Sequence, residues 1–284
     1  MSKKGRWPSI SQVTLDRRSF LDWSGKATVL ALGAGLISRC QARAGSVLDG
    51  AMPDGALDSG AASDGSQDSG ADASPRDAGP DASTDPLCAS PTEPMAFEPS
   101  DGSGIFPANR ERTVDQQDLE AILAGWRLTV DGLVQSPRSL SFEDLFCLPR
   151  QDQTTDFHCV EGWSIYDVPW NGLHLGSLFS EVGLMPSATH VTFHTLGGIY
   201  NESLPLEVAL EPRTLLAYGA GGNTLPLAHG FPLRIVIPRL LAYKSAKYVH
   251  RIELTDRAVE GFWVKAGYPY EALVPEGRLR PGKY

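Results

Sequence analysis

The sequence predicts a mixed α+β fold, and three of its features carry that prediction. Segments with the apolar pattern of β-strands outnumber those with the pattern of helices. No strand–helix–strand repeat is visible, so the class is α+β rather than α/β. These segments follow residue 98, where the composition becomes that of an ordinary globular protein. We therefore expect a single globular domain over residues 99–284, long enough to bury one sizeable core.

Four segments of this domain are predicted as strands. Residues 126–134 alternate between apolar and polar side chains and then turn at Asp131-Gly132, as at a strand end or in a hairpin. Residues 190–196 and residues 247–255 also alternate. Residues 233–237 (L-R-I-V-I) are apolar apart from Arg234 and precede a proline, a pattern typical of a strand buried on both faces.

Two short helices are predicted from the residues that begin and end them. Residues 141–144 (S-F-E-D) have the pattern of a capping box, which would open a helix through Cys147 that Pro149 stops. Residues 175–182 are predicted as the second helix, with Gly183 as its C-cap.

The N-terminal residues 1–44 have the features of an export signal. Residues 16–21 (D-R-R-S-F-L) match a twin-arginine signal, and residues 27–37 supply its apolar region, which is too short to span a bilayer comfortably. Two cleavage sites remain open. Cys40 ends a stretch like a lipoprotein box and would carry a lipid anchor, whereas cleavage after Ala44 would release a soluble protein. We favour the lipoprotein, because the segment that follows suits a tether.

Residues 45–98 are predicted to be a disordered acidic linker. They consist almost entirely of Asp, Ala, Gly, Ser and Pro, and Arg76 is their only basic residue. Such a composition cannot bury enough apolar surface to offset the entropy of ordering. Most of the formal net charge of −9 belongs to this linker, so that charge says little about partners. The folded part has no basic stripe, and we predict no binding to nucleic acid.

The four cysteines form no C-x-x-C pair and no C-x-x-C-H motif. Zinc ribbons, ferredoxin clusters, thioredoxin chemistry and covalent haem are therefore poorly supported. A disulfide between Cys88 and Cys147 is one alternative in an oxidising compartment, and the sequence does not decide it.

Cys159 lies in the most informative stretch, residues 158–164 (H-C-V-E-G-W-S). A lone cysteine is more often a buried core residue than a ligand. Here it is followed by residues 168–172 (V-P-W-N-G), 229–234 (H-G-F-P-L-R) and 244–247 (K-S-A-K). In that order, these motifs resemble the molybdopterin-binding domain of the sulfite oxidase superfamily, above all its periplasmic sulfoxide-reductase branch. The resemblance covers nearly the whole folded block and implies the β-rich molybdopterin-binding fold of sulfite oxidase.

The resemblance also implies a molybdenum–molybdopterin cofactor and the residues that would hold it. Cys159 would give the metal a soft thiolate ligand. The residues implied to contact the pterin and its phosphate are Thr195, His229, Arg234, Ser245, Ala246 and Lys247. Arg234 offers a bidentate fork to a phosphate, His229 offers a ring N–H, and residues 245–247 would form a small anion nest. The plainer alternatives are a surface arginine at a strand end, a loop histidine and a basic turn.

Three weaker assignments follow from the same resemblance. An early pterin contact is expected within residues 106–112, with Asn109 as the candidate. Tyr200 and Tyr218 are candidates to line the substrate pocket, although both fit equally well as core aromatic residues.

The resemblance implies an exported oxidoreductase that transfers an oxygen atom to or from a small-molecule substrate. Sulfite oxidases follow the cysteine with a basic C-A-G-N-R-R pattern, whereas Val160, Glu161 and Gly162 follow it here. Glu161 would repel an anion near the metal, so a neutral sulfoxide fits better than sulfite. Sulfite oxidation and a cofactor-free tethered binding module of the same fold remain as alternatives.

The chain has no haem or iron–sulfur motif of its own, so electrons must be exchanged with a partner. A membrane haem protein or a small periplasmic cytochrome is the expected type, which places the protein in the periplasm. Sulfite oxidases carry an additional dimerisation domain for which no room follows residue 268. We therefore expect a monomer.

Overall fold

Ten β-strands in two sheets form the framework of the fold within residues 82–284, the part of the chain that the computed structural model describes. The strands are β1 (Leu128–Gly132), β2 (Arg138–Leu140), β3 (Arg150–His158), β4 (Ser164–His174), β5 (His190–Thr195), β6 (Asn201–Pro205), β7 (Leu215–Ala220), β8 (Asn223–Thr224), β9 (Arg234–Val236) and β10 (Val249–Thr255). All four predicted strand segments are confirmed, and their ends move by a few residues.

The two sheets differ in how their strands pair. The first has the order β2-β1-β10-β5-β6, in which β1 and β10 run parallel and the other neighbours run antiparallel. In the second sheet, the antiparallel hairpin β3–β4 joins β7, and both β8 and β9 pair with β7. The strand-rich, mixed topology confirms the α+β prediction.

Helices are few and short in the described part of the chain. The α-helices are α1 (Leu119–Gly125), α2 (Leu175–Val182), α3 (Leu206–Ala209) and α4 (Phe262–Lys265). Helix α2 has the predicted bounds, and its C-cap is Gly183. The capping box also forms, because the Ser141 N–H donates to the Asp144 carboxylate at 2.8 Å and the Asp144 N–H donates to the Ser141 hydroxyl at 3.2 Å. The segment that it opens, Glu143–Cys147, is a 3₁₀ helix, the form that such short helices often take.

The core forms where the strand patterns bury their apolar faces. Val191 and Phe193 of β5 and Ile252 of β10 are all 0% exposed. All three residues of β9, including Arg234, are also buried, as expected for a strand covered on both faces. Each large apolar side chain buried in this way contributes about 1.5–3 kcal/mol to folding.

Residues 82–98 pack against the domain, although their composition assigns them to the linker. Cys88 forms a disulfide with Cys147, with 5.8 Å between the two Cα atoms. The ring of Phe97 lies 5.0 Å from that of Phe142, centroid to centroid. The average composition of a long polar block does not reveal such isolated residues. Main-chain hydrogen bonds, such as those from Ser83 to Pro137 and from Thr92 to Phe146, also attach the segment. The packed chain therefore includes residues before 99.

The predicted export signal, the cleavage sites at Cys40 and Ala44, and most of the predicted linker lie outside the described residues. Among residues 82–284, none of the helices combines the length and the apolar character needed to cross a bilayer.

Candidate active site

Cys159 begins the turn that connects β3 to β4. The Cys159 N–H donates to the carbonyl oxygen of Trp163 at 2.9 Å, and the Gly162 N–H donates to that of Cys159 at 3.2 Å. Gly162 has a φ of 99°, a conformation that glycine adopts without strain. The hairpin therefore presents the thiol from a closed, five-residue turn at the end of a long strand pair.

The thiol of Cys159 is partly buried, and it is the free cysteine of the described residues. Its Sγ lies 4.0 Å from Oε2 of Glu161, and the same oxygen accepts a hydrogen bond from the Trp163 indole N–H at 3.0 Å. Burial raises the pKa of the thiol, and the charge of Glu161 adds to this effect. The thiol therefore keeps its proton at neutral pH until a metal cation displaces it.

Arg234 is the most deeply buried of the predicted cofactor contacts. It is 0% exposed, so its interpretation as a surface arginine is wrong. Its guanidinium donates to the carbonyl oxygens of His229 at 3.1 Å and Ser245 at 3.2 Å. It also lies over the rings of Phe157 and Trp170, at 5.3 and 5.2 Å from their centroids. Together with His229 and Lys247, it forms what we call the cation cluster.

Lys247 also donates only to main-chain carbonyl groups. Its Nζ lies 3.0 Å from the carbonyl oxygen of Asn109, 2.6 Å from that of Glu111 and 3.1 Å from that of Ala228. Gly230 makes this approach feasible, because a Cβ there would lie 3.0 Å from the Lys247 side chain. The expected early contact segment, including Asn109, is thus brought to the cation cluster.

His229 is buried, and its ring is held by the same early segment. Nε2 lies 3.0 Å from the carbonyl oxygen of Ala108, which can only accept, so Nε2 carries a proton. Burial, and then the neighbouring cations, lower the pKa of His229 to about 4, despite an opposing effect of the Ala108 hydrogen bond. The ring is therefore neutral at pH 7, and its single N–H donates to the carbonyl oxygen of Ala108. Donation from Nδ1 to a phosphate requires protonation, which a nearby anion would favour.

Ser245 and Ala246 contribute less directly than the anion nest predicts. Their main-chain N–H groups donate to the carbonyl oxygens of Ala242 and Lys244, at 3.0 and 3.1 Å. Within this motif, Lys247 carries the positive charge of the cation cluster, and Ser245 positions Arg234 through its carbonyl oxygen.

The remaining predicted residues lie in two different places. Thr195 donates from its hydroxyl to the Tyr200 carbonyl at 2.7 Å, and both residues line a polar cavity of about 360 Å³. The Tyr200 hydroxyl donates to the carbonyl of Tyr243. Tyr218 is buried against Phe146, with 4.8 Å between ring centroids, and lines a separate cavity of about 310 Å³. Its surroundings favour the core-aromatic interpretation.

Two residues near the thiol have no counterpart in the sequence predictions. Burial raises the pKa of the Tyr268 hydroxyl, and its proximity to Glu161 and Cys159 raises this pKa further. Arg278 donates to the carbonyl oxygens of Cys159 and Trp163. No local pattern marks either residue, because each reaches the turn from more than a hundred residues further along the chain.

The residues present fit an anionic pterin cofactor. Within residues 82–284, Nε of Arg234, Nδ1 of His229 and the hydroxyl of Tyr248 are buried without a hydrogen-bond partner. Burial also lowers the pKa of Arg234 to about 10. A buried arginine whose hydrogen bonds go only to neutral carbonyl groups is costly, and a phosphate would offset that cost. The ring of Phe157 lies between the two parts of the site, 5.3 Å from the Arg234 guanidinium and 6.3 Å from the ring of Trp163.

Lys247 should make the stability of the cofactor-free protein depend on pH. Burial is the main reason that the pKa of Lys247 falls to about 7. The charges of Arg234 and Arg112 also lower this pKa, and the charge of Glu111 opposes them. Between that pKa and the ordinary value of 10.5, the unfolded chain holds a proton that the folded chain lacks. The free energy of unfolding should therefore rise with pH across this window. Urea unfolding at about pH 6 and about pH 9 should show the rise in the wild type and a smaller one in Lys247→Met. If the free energy of unfolding depended on pH equally in both proteins, the predicted role of Lys247 would be contradicted.

A strand-rich α+β fold with a free thiol at a hairpin turn, and with a buried arginine whose Nε has no partner, fits a molybdopterin-dependent oxidoreductase. Residues 114–263, just over half of the chain, match the model of the oxidoreductase molybdopterin binding domain, and the chain belongs to that family. This membership confirms the resemblance to the sulfite oxidase superfamily.

Three known proteins illustrate the relationship. The chain is 38% identical over 176 residues to the uncharacterized oxidoreductase YuiH of Bacillus subtilis (strain 168). This match covers 60% of this chain and 88% of YuiH. It is 37% identical over 155 residues to the protein-methionine-sulfoxide reductase catalytic subunit MsrP of Gluconobacter oxydans (strain 621H), and this match spans about half of each protein, 49% in both cases. The crystal structure of the sulfane dehydrogenase SoxCD from Paracoccus pantotrophus is 26% identical, with a TM-score of 0.45 over 52% of this chain and 41% of that one.

Proposed function

We propose that the protein transfers an oxygen atom between a sulfoxide or related small substrate and a molybdenum centre bound by Cys159. One observation carries the proposal. Phe157 lies two residues before the free thiol of Cys159 on the β3–β4 hairpin, and its ring lies 5.3 Å from the fully buried guanidinium of Arg234. This arrangement supplies a soft ligand for the metal and positive charge for the phosphate of the same cofactor.

Each residue has a defined role in this proposal. When bound, the cofactor supplies a two-electron couple, Mo(IV)/Mo(VI), that suits transfer of one oxygen atom. Cys159 gives up its proton and binds the metal as thiolate. Arg234 would donate to the phosphate through its unpartnered Nε, and a charge-assisted hydrogen bond of this kind contributes about 1.5–3 kcal/mol. Lys247, whose three N–H bonds already donate to carbonyl groups, would add positive charge. Trp163 covers the turn and fixes the Glu161 carboxylate through its indole N–H.

Glu161 favours a neutral substrate over an anionic one. Its carboxylate lies 4.0 Å from the sulfur that would bind the metal. Sulfite is a dianion and would be repelled by this charge, whereas a sulfoxide carries no net charge. The relative MsrP is named as a methionine-sulfoxide reductase, which supports the same substrate class for this chain.

The proposal extends to location and partner. The protein is exported to the periplasm by the twin-arginine route and anchored by a lipid at Cys40. A disulfide such as Cys88–Cys147 is typical of oxidising compartments, which supports export. A membrane haem protein or a small cytochrome then exchanges electrons with the metal. The catalytic unit is a monomer.

Metal analysis and two assays test the proposal. Full-length protein, purified after native export, should contain about one molybdenum and one pterin per chain. Its kcat/KM for methionine sulfoxide with a reduced viologen should exceed that for sulfite with ferricyanide by at least about tenfold. A folded protein without molybdenum would instead support a cofactor-free binding module. Faster turnover of sulfite would overturn the substrate assignment.

A further inference from the structure

The C-terminal segment, residues 276–284, lies along the hairpin that carries Cys159. Arg280 donates to the carboxylate of Asp156 at 2.6 Å and pairs with Asp167 at 2.9 Å. Lys283 pairs with the other oxygen of Asp167 at 2.6 Å. Asp156 lies on β3, and its side chain is only 1% exposed. The segment is thus attached to both strands of the hairpin, although it follows the residues that match the family.

Arg278 extends from this segment to both ends of the Cys159 turn. One guanidinium nitrogen lies 3.1 Å from the carbonyl oxygen of Cys159. The other lies 2.7 Å from the carbonyl oxygen of Trp163 and 2.9 Å from the hydroxyl oxygen of Ser164. The planar fork therefore bridges the first and last residues of the turn and the first residue of β4.

This bridge acts on the orientation of the thiol. The turn closes through two main-chain hydrogen bonds, one from the Cys159 N–H and one from the Gly162 N–H. Gly162 is exposed and has no side chain to pack, and nothing lies within 4 Å of a Cβ built there. The Arg278 fork adds three hydrogen bonds at the same place. Because its first acceptor belongs to Cys159 itself, the fork fixes the backbone from which the thiol extends.

We propose that Arg278 is a positioning residue that holds the Cys159 turn in the geometry in which the thiol binds the metal. The inference rests on the proposed function of Cys159. It is distinct from a general stabilising role, because Arg280 and Lys283 already attach the segment without touching the turn. A lysine at position 278 keeps the charge but cannot bridge the two carbonyl groups, so Arg278→Lys should not restore the effect.

The test compares Arg278→Gln and Arg278→Lys with two controls. Arg280→Gln weakens the attachment of the same segment, and Arg257→Gln removes an arginine whose side chain is 84% exposed. In the holoenzyme, both Arg278 variants should retain pterin and should lower kcat by about 10- to 100-fold with little change in KM. The Mo(V) electron paramagnetic resonance spectrum, which reports the geometry of the thiolate ligand, should change in these two variants only.

A second measurement uses the cofactor-free protein and does not depend on activity. Alkylation of Cys159 by iodoacetamide, followed by peptide mass spectrometry, should be at least about threefold faster in both Arg278 variants, because the turn opens more often. Wild-type rates and an unchanged Mo(V) spectrum in Arg278→Gln would overturn the inference. Equal changes in Arg280→Gln at an equal loss of melting temperature would also overturn it, because the role would then be structural.

The two proposals fail in different ways. Absence of molybdenum from the wild-type protein would contradict the proposed function, whatever Arg278 does. Molybdenum in the wild type with no response at Arg278 would contradict only the positioning role.

Discussion

Replacement of Cys159 by alanine should reduce turnover by about 1,000-fold or more while leaving most of the pterin bound. Loss of a residue that merely supports a metal ligand costs about 10- to 100-fold, and the ligand itself should cost more. The pterin should remain, because the phosphate contacts that we propose belong to the cation cluster, which is formed by other parts of the chain. The measurements are kcat with methionine sulfoxide and the pterin content per chain.

Cys159→Ser is the matched variant for this experiment. It keeps the size and the hydrogen-bonding capacity of the side chain but offers a harder oxygen ligand. We expect its activity to remain far below that of the wild type. Full activity in either variant would remove the proposed role of the thiol, and loss of pterin in both would show that the two parts of the site are not independent.

The second large effect is expected on stability, at the buried ion pair of Glu202 and Lys244. Both side chains are 0% exposed, and their charged atoms lie 2.8 Å apart. Lys244 also lies 4.2 Å from the centre of the Tyr270 ring. Glu202→Ala leaves this ammonium group buried without its partner, which should lower the free energy of unfolding by about 3–5 kcal/mol. Urea unfolding of the cofactor-free protein measures this change.

Two controls separate burial from charge pairing. The double variant Glu202→Leu/Lys244→Met removes both charges and should be more stable than Glu202→Ala alone. Glu211→Ala breaks a pair with Arg239 whose side chains are 30% and 41% exposed, and should cost no more than about 1 kcal/mol. If Glu202→Ala cost less than Glu211→Ala, the importance of the buried pair would be contradicted.

The same variant should also affect the cation cluster. Lys244 immediately precedes Ser245, whose carbonyl oxygen accepts from Arg234. Loss of the ion pair would release the 3₁₀ helix Ala242–Lys244 and displace that acceptor. Pterin content should therefore fall in Glu202→Ala along with stability.

The parts of the fold that the sequence predicts are those with local causes. Helix α2 has its predicted bounds because its helical run ends at a glycine. Strand β9 lies within its predicted segment because a short run that is apolar apart from Arg234 needs burial on both faces. The parallel pairing of β1 with β10 joins residues more than a hundred positions apart. No periodicity within either strand contains that information.

The residues of the candidate site likewise fall into those that the sequence indicates and those that only the structure reveals. Motif resemblance selected Cys159, His229, Arg234 and Lys247, and the structure brings the last three together around the carbonyl groups of the 108–111 segment and residues 228–229. The resemblance did not show that the N–H groups of Ser245 and Ala246 are used within their own turn, because side-chain identity says nothing about the direction of the backbone. Arg278 was missed because a single arginine acquires its role only through its partners in space.

The Cys88–Cys147 bond also decides how the domain responds to mechanical tension. A pull on the N-terminal side reaches Cys88 and passes through the sulfur atoms directly to Cys147, so residues 89–146 form a covalently closed loop outside the path of the force. Helix α1 and strands β1 and β2 lie inside that loop and cannot be peeled away in sequence. If the enzyme is held to a membrane by its N-terminal side, these two strands of the first sheet therefore bear none of the tension from the tether.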